Sequence, residues 1–259
     1  MVKKLLKHEL FALFRTLAWF MGAVLLLAVL ARIANALTPS DIGSSYGLGT
    51  TFAMTFVFIM YIWGVIALCG AAVAVSLVRY FRSLFTGEGY LTFSLPASPT
   101  QLLVAKFLGA IIASVACVLT AFVSTFIAMP FSVWAGIFEI LPNIFAAIGA
   151  AFSSEPLVAI EVVILMILLI PSGLLYLYLV ASIGQLFTKG RIPITIALYY
   201  GLSFVFSFVF TLFFLPIIEA AATSVHLIMW MLILIAAAFD VGSFFFIRFI
   251  LSHKVNLVV

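Results

Sequence analysis

Long apolar runs separated by short polar stretches recur along the whole chain. A helix needs about 20 mostly apolar residues to cross the hydrocarbon of a bilayer. By that measure the pattern predicts six spanning helices. They cover about Thr16 to Leu37, Thr51 to Val78, Thr100 to Met129, Leu157 to Phe187, Ile194 to Ile217 and Val225 to Ile250. The second contains no charge, and the third is long enough to start outside the lipid. In the second, Ala67, Gly70, Ala71 and Ala74 predict a close-packing face. Pro171 and Gly173 predict a kink in the fourth, where neighbouring helices re-satisfy the freed backbone groups. In the fifth, Tyr199, Ser203, Ser207 and Thr211 recur every four residues. That stripe has two readings: helix packing through small hydroxyl residues, or the lining of a path shared by two subunits.

Two segments outside these runs also carry a pattern. Before the first span, Val2, Leu6, Leu10 and Leu13 share one side at helical spacing, while Lys4, Lys7, His8 and Arg15 gather opposite. Residues 1–15 therefore read as an amphipathic interfacial helix whose cations, Lys3, Lys4, Lys7 and Arg15, lie near anionic headgroups. An ordinary positive flank that sets topology accounts for the same residues. Residues 131–156, "FSVWAGIFEILPNIFAAIGAAFSSEP", are too polar for a good span and too apolar for a free loop. With Trp134 as an interfacial aromatic, they are expected to form one or two short helices at the outer surface, broken at Pro142, or to dip into the membrane.

Composition changes the picture by removing the soluble classes. Hydrophobic residues make up 67% of the 259 and charged residues 8%, whereas a soluble domain is nearer half apolar and a quarter charged. The fold class is an all-α integral membrane protein, with residues 1–259 forming a single transmembrane domain. The net charge of +4 does not indicate a nucleic-acid partner, because the cations sit at the ends of apolar runs. Lys3, Lys4, Lys7, Arg15, Arg79, Arg82, Lys106, Lys189, Arg191, Arg248 and Lys254 fall on one side of a six-span topology. Only Arg32 falls on the other, where Asp41, Glu139, Glu155 and Glu219 lie. The excess of cations on cytoplasmic loops then places both termini in the cytoplasm. The N-terminus does not read as a cleavable signal, since its apolar run continues into a full-length span.

Candidate chemistry is sparse. Cys69 and Cys117 lie inside apolar runs and read as small buried hydrophobes. No phosphate-cradling loop, His-Glu metal motif or nucleophilic triad can be assembled, so neither catalytic nor metal-binding residues are assigned. His8 and His253 flank the spans, and His226 stands about 21 Å along one helix from Asp240, too far to share a metal. An ionisable group inside a span is a functional candidate by default. Asp240, in "AAAFDVGSFFF", is such a group; it is expected to pair with Arg79, Arg82 or Arg248, or to serve a substrate or proton path. Glu161 is expected at the interface.

The most irregular stretch is "GEGYLTFSLPASPTQLLVAKF", Gly87 to Phe107. Ser98, Pro99 and Gln101 form a capping box that starts the third helix in water. Upstream, Tyr90, Leu91, Phe93 and Leu95 make a short apolar piece ended by Pro96. It is either a plain connection or a knob that docks into a partner, since exposed apolar clusters mark contact surfaces. The pattern E-x-Y-L-T-F-x-L-P-x-S, here Glu88, Tyr90, Leu91, Thr92, Phe93, Leu95, Pro96 and Ser98 with Lys106 following, resembles the permease subunits of bacterial ABC exporters of the type-two class. The strong part of the match covers about one tenth of the chain, and the N-terminal "KLLKHEL" is similar to how such chains begin. The connection between the fifth and sixth spans is shorter than the re-entrant element of several members.

The resemblance implies that residues 79–106 form a cytoplasmic coupling loop docked on an ABC ATPase subunit through Glu88, Tyr90, Leu91, Thr92, Phe93 and Leu95. It also implies a second permease copy or homologue, ATP and magnesium bound by the ATPase, no cofactor and no enzymatic activity on this chain, and a bacterial cytoplasmic membrane. Two other functions fit the same residues: a secondary transporter using Asp240 as an ion carrier, and a non-transporting immunity or anchoring subunit. Internal repeats, expected of many secondary transporters, are not evident.

Overall fold

A computed structural model describes residues 2–36, 48–85, 98–187, 191–220 and 225–253. Among the described residues the only regular elements are helices. They are α1 (Val2–Ala36), α2 (Leu48–Phe85), α3 (Pro99–Ala128), α4 (Phe131–Ser154), α5 (Pro156–Gly184), α6 (Arg191–Ala220) and α7 (Val225–His253). All seven are long and apolar enough to cross a membrane.

Two boundaries differ from expectation. The seventh candidate is α4, which occupies the segment expected either as short surface helices broken at Pro142 or as a stretch dipping into the membrane. The helix runs through Pro142 without interruption. A proline inside a helix removes one N–H and crowds one carbonyl. Here the apolar residues on both sides carry the helix across that defect. The second difference is α1. Its 35 residues form one rod of about 52 Å, well beyond the roughly 30 Å of hydrocarbon. The amphipathic stretch is thus continuous with the first long apolar run and not a separate helix. Its apolar side has a protein neighbour: Leu6, Glu9 and Leu13 lie 3.6–3.8 Å from where a Cβ at Gly109 of α3 would stand. Lys3, Lys4, Lys7 and Arg15 are exposed.

The contacts divide the chain into two compact units, and the division runs through α2 and α3. The first unit comprises residues 2–76 and 108–146. Its core joins Leu13, Leu17, Val24, Ala28 and Ala31 of α1 to Tyr61, Leu68 and Ala72 of α2, and to Ala113, Cys117 and Ala128 of α3. Gly64 lets α1 approach, since a Cβ there would stand 3.0 Å from Leu27 Cδ1. The buried stripe of α2 is therefore offset from the face predicted: Ala71 packs against the core, but Ala67, Gly70 and Ala74 are exposed, and a Cβ on Gly70 would meet nothing within 4 Å. The Tyr61 hydroxyl sits 3.1 Å from Ser124 Oγ and 2.9 Å from Thr125 Oγ1.

The end of α3 explains Arg32. The last carbonyls of a helix lack intrahelical donors and carry the negative end of its dipole. Arg32 Nη1 donates to Met129 O at 2.6 Å, and Asn35 Nδ2 donates to Ala128 O at 3.2 Å. The cation that breaks the charge asymmetry is a distant cap for α3. At the start of α4 the Trp134 ring stacks on that of Phe126 of α3, their centroids 3.7 Å apart, and its N–H donates to Phe126 O.

The second unit comprises residues 77–107 and 147–259. Here α5 packs along α7 and, less extensively, along α6. At the end of α5 the approach to α6 is so close that a Cβ on Gly184 would lie inside the Thr195 side chain. Helix α5 also continues through its proline, Pro171.

Candidate functional site

The segment singled out by its sequence is bounded by two described abutments. The first is the end of α2. Tyr80 is 1% exposed, and its ring lies flat on that of Tyr178 of α5, with centroids 4.2 Å apart and planes 8° from parallel. Phe85 meets the Tyr80 ring edge-on at 5.8 Å. Ser182 Oγ donates to Tyr178 O at 2.7 Å. Its one proton is thereby committed, so the Tyr80 hydroxyl is the donor in the 2.6 Å contact with Ser182 Oγ. A buried phenol needs such a partner, because an unsatisfied hydroxyl away from water is costly. Leu84, one turn on from Tyr80, is fully buried. This end of α2 is locked to the last turns of α5.

The second abutment is the start of α3. Gln101 N donates to Ser98 Oγ, and Ser98 N donates to Gln101 Oε1, each at 3.4 Å. Gln101 N and Leu102 N also reach Ser98 O at 2.9 and 3.2 Å. Two of the orphan donors of the first turn are thus satisfied reciprocally, as the Ser98-Pro99-Thr100-Gln101 spacing predicts. Behind the cap, Leu102, Leu103, Ala105 and Lys106 are all buried. Glu88, Tyr90, Leu91, Thr92, Phe93 and Leu95 lie outside the described residues.

The remaining predicted residues separate into distinct groups. Tyr199 and Ser203 join α6 to α5: the Tyr176 hydroxyl lies 2.7 Å from both Tyr199 O and Ser203 Oγ. Ser207 and Thr211 are exposed, and Thr211 Oγ1 donates to Ser207 O inside its own helix. The stripe is therefore two things, a packing contact at one end and an open face at the other. Asp240 has both carboxylate oxygens buried and without a hydrogen-bond partner among the described residues. The expected arginine contact is not made.

A second ionic feature escapes sequence reading. Glu161, near the start of α5, is 4% exposed, and His226 Nδ1 of α7 lies 3.1 Å from each of its carboxylate oxygens. The His226 side chain is 42% exposed. The imidazole thus sits between a buried carboxylate and the surroundings. Its partner is 65 residues away, and neither residue belongs to a local motif. Among the described residues, no group of three or more His, Cys, Asp or Glu side chains is placed to hold a metal ion.

Comparisons of the chain with family models, with curated proteins and with solved structures found no match.

Proposed function

We propose that the chain is the membrane-spanning permease subunit of an ATP-driven exporter, coupled through the loop at residues 79–106 to ATPase subunits that bind and hydrolyse the nucleotide. The observation that carries this reading is the pair of abutments. The Tyr80–Tyr178–Ser182 contact fixes the end of α2 to α5, and the Ser98–Gln101 box starts α3 cleanly. A knob held between such ends moves the helices it joins instead of flexing alone. Closure of the ATPases on nucleotide would push on Tyr90, Leu91, Phe93 and Leu95. The push would shift the population between two packings of the helices. Positive residues around this segment and at both termini support a cytoplasmic placement for all three. Six helices then cross the cytoplasmic membrane, and α4 stays on the outer side. A second permease copy completes the transporter, and the exposed faces of the spanning helices meet lipid or that copy. Export, rather than import, follows from the family resemblance of "EGYLTFSLPASPTQ".

The test is co-purification. Tagged chain isolated from its own membranes is expected to carry a subunit with ATPase activity. Changing Tyr90→Ala and Phe93→Ala together is expected to lose that activity while the thermal unfolding of the chain is unchanged. Wild-type chain without ATPase activity, or full retention by the double variant, overturns the proposal. Ion-coupled transport without an ATPase is the second reading, and the unpaired Asp240 carboxyl favours it. Efflux that persists without ATP and stops in Asp240→Asn would establish it instead.

A further inference from the structure

Length and apolarity alone allow α4 to cross a membrane, but the pattern of its side chains argues otherwise. Gly136, Glu139, Asn143, Ala146, Ala150 and Ser153 follow one another at steps of three and four residues, so they share one side of the helix. Trp134, Ile137, Leu141, Phe145, Ile148 and Phe152 do the same on the opposite side. Of the described helices, α4 is the most sharply divided into an apolar and a polar side. Helix α6 is the contrast. Its middle is exposed too, but from Phe204 to Phe210 only Ser207 interrupts a run of Phe and Val that faces every direction. A helix apolar all round suits lipid on all sides, whereas a two-sided helix sits at a boundary between apolar and polar surroundings.

The boundary is not one inside the protein. Trp134 holds the first turn of α4 to Phe126, but every residue from Pro142 to Ala150 is exposed. Phe145 and Ile148, on the apolar side, are among them. Glu139 and Asn143, on the polar side, are exposed as well.

Three further observations show what covers the apolar side. First, α4 starts three residues after the end of α3 and stops two before the start of α5, so its ends lie at the ends of two long apolar helices. Lys189 and Arg191, beyond the far end of α5, share the side of Arg79, Arg82 and Lys106 only when α4 does not cross. Second, a crossing would put Glu139 about 12 Å and Asn143 about 18 Å from the start of α4, the latter near the middle of the hydrocarbon. Exposed there, the carboxylate of Glu139 would face lipid at high cost. Third, Pro142 has no N–H and leaves the carbonyl of Phe138 without its helical donor. Inside a bilayer such a group needs a neighbouring helix to satisfy it, and this part of α4 is open. Water at the membrane surface satisfies it directly.

We propose that α4 is a membrane-surface helix: it lies in the plane of the outer leaflet, with Ile137, Leu141, Phe145, Ile148 and Phe152 among the acyl chains and Glu139, Asn143 and Ser153 turned to water. The partner is the lipid surface itself. Helix α4 contains no Lys or Arg, so burial of its apolar side holds it there, not attraction to anionic headgroups. In this it differs from the basic start of α1. The proposal rests on the outer placement of α4 and not on an ATPase.

Spin labels on α4 test it. Full-length chain without Cys69 and Cys117 receives single nitroxide-labelled cysteines at positions 139, 143 and 150 on one side and 141, 145 and 148 on the other. Each variant is reconstituted in vesicles of phosphatidylethanolamine and phosphatidylglycerol. Relaxation by oxygen, which concentrates in hydrocarbon, is compared with relaxation by a water-soluble nickel chelate. Oxygen is expected to exceed the chelate several-fold at 141, 145 and 148, all at one shallow depth, and the chelate to prevail at 139, 143 and 150. Labels on both sides that deepen together toward the middle of the helix make α4 a crossing, and overturn the proposal along with the outer placement. Access of the chelate to both sides puts the helix in water, and exclusion of both reagents from 141, 145 and 148 puts a protein over the apolar side. Either result overturns the proposal and leaves the outer placement standing. Ile148 and Ala150 are both exposed and two positions apart, so the contrast survives the loss of any one variant to misfolding.

Discussion

Tyr80 combines a stacking contact and a hydrogen bond in one buried side chain, and the two can be separated by substitution. Tyr80→Phe keeps the stack on Tyr178 and leaves Ser182 still donating to Tyr178 O, so it is expected to cost about 1 kcal/mol. Tyr80→Ala removes the ring as well and is expected to cost about 3–5 kcal/mol. Denaturant titration in mixed micelles measures both, and equal losses would contradict the packing described. Glycines supply a second contrast. Gly184→Ala would drive a methyl into Thr195, whereas Gly70→Ala meets open space. The first is expected to lower the unfolding midpoint by several degrees, and the second to leave it within experimental error. At this scale little was legible beforehand. Tyr80, Tyr178 and Ser182 lie on two helices about a hundred positions apart, as do Glu161 and His226 over a shorter gap, and no local pattern links such pairs.

Helices and their ends were more legible, because caps are written in adjacent residues. The Ser98–Gln101 box is where the spacing puts it. The phase of α2 was not readable. Its sequence is apolar all round, so Ala67, Gly70 and Ala74 suggest one packed face while Tyr61, Gly64, Leu68 and Ala72 make the actual one. Pro142 misled for a related reason: a proline reports a local defect, while the apolar run around it decides whether the helix continues. The α3 end shows the opposite failure, a cap supplied from another helix. Arg32→Ala removes a charged donor from Met129 O and is expected to cost about 1.5–3 kcal/mol. Asn35 still serves Ala128 O. Hydrogen exchange of the last turn of α3 is expected to speed up in this variant more than that of its first turn. Uniform acceleration along α3 would contradict the capping role.

For the whole molecule, the membrane class and helical content were plain from composition and run length, but the number of crossings was not. Seven helices are long and apolar enough to span, and an odd number of crossings would put the termini on opposite sides. The exporter reading requires α4 to stay outside. Reporters fused to the two ends are expected to be active on the same, cytoplasmic side; opposite sides would make α4 a true crossing. Glu139, exposed in the middle of α4, is the residue that disfavours burial in hydrocarbon. The most direct measurement concerns the docking segment. In a variant lacking Cys69 and Cys117, a single cysteine at position 90 is treated in intact cells with a membrane-impermeant maleimide. The account predicts labelling only after the cells are opened; labelling from outside would contradict it.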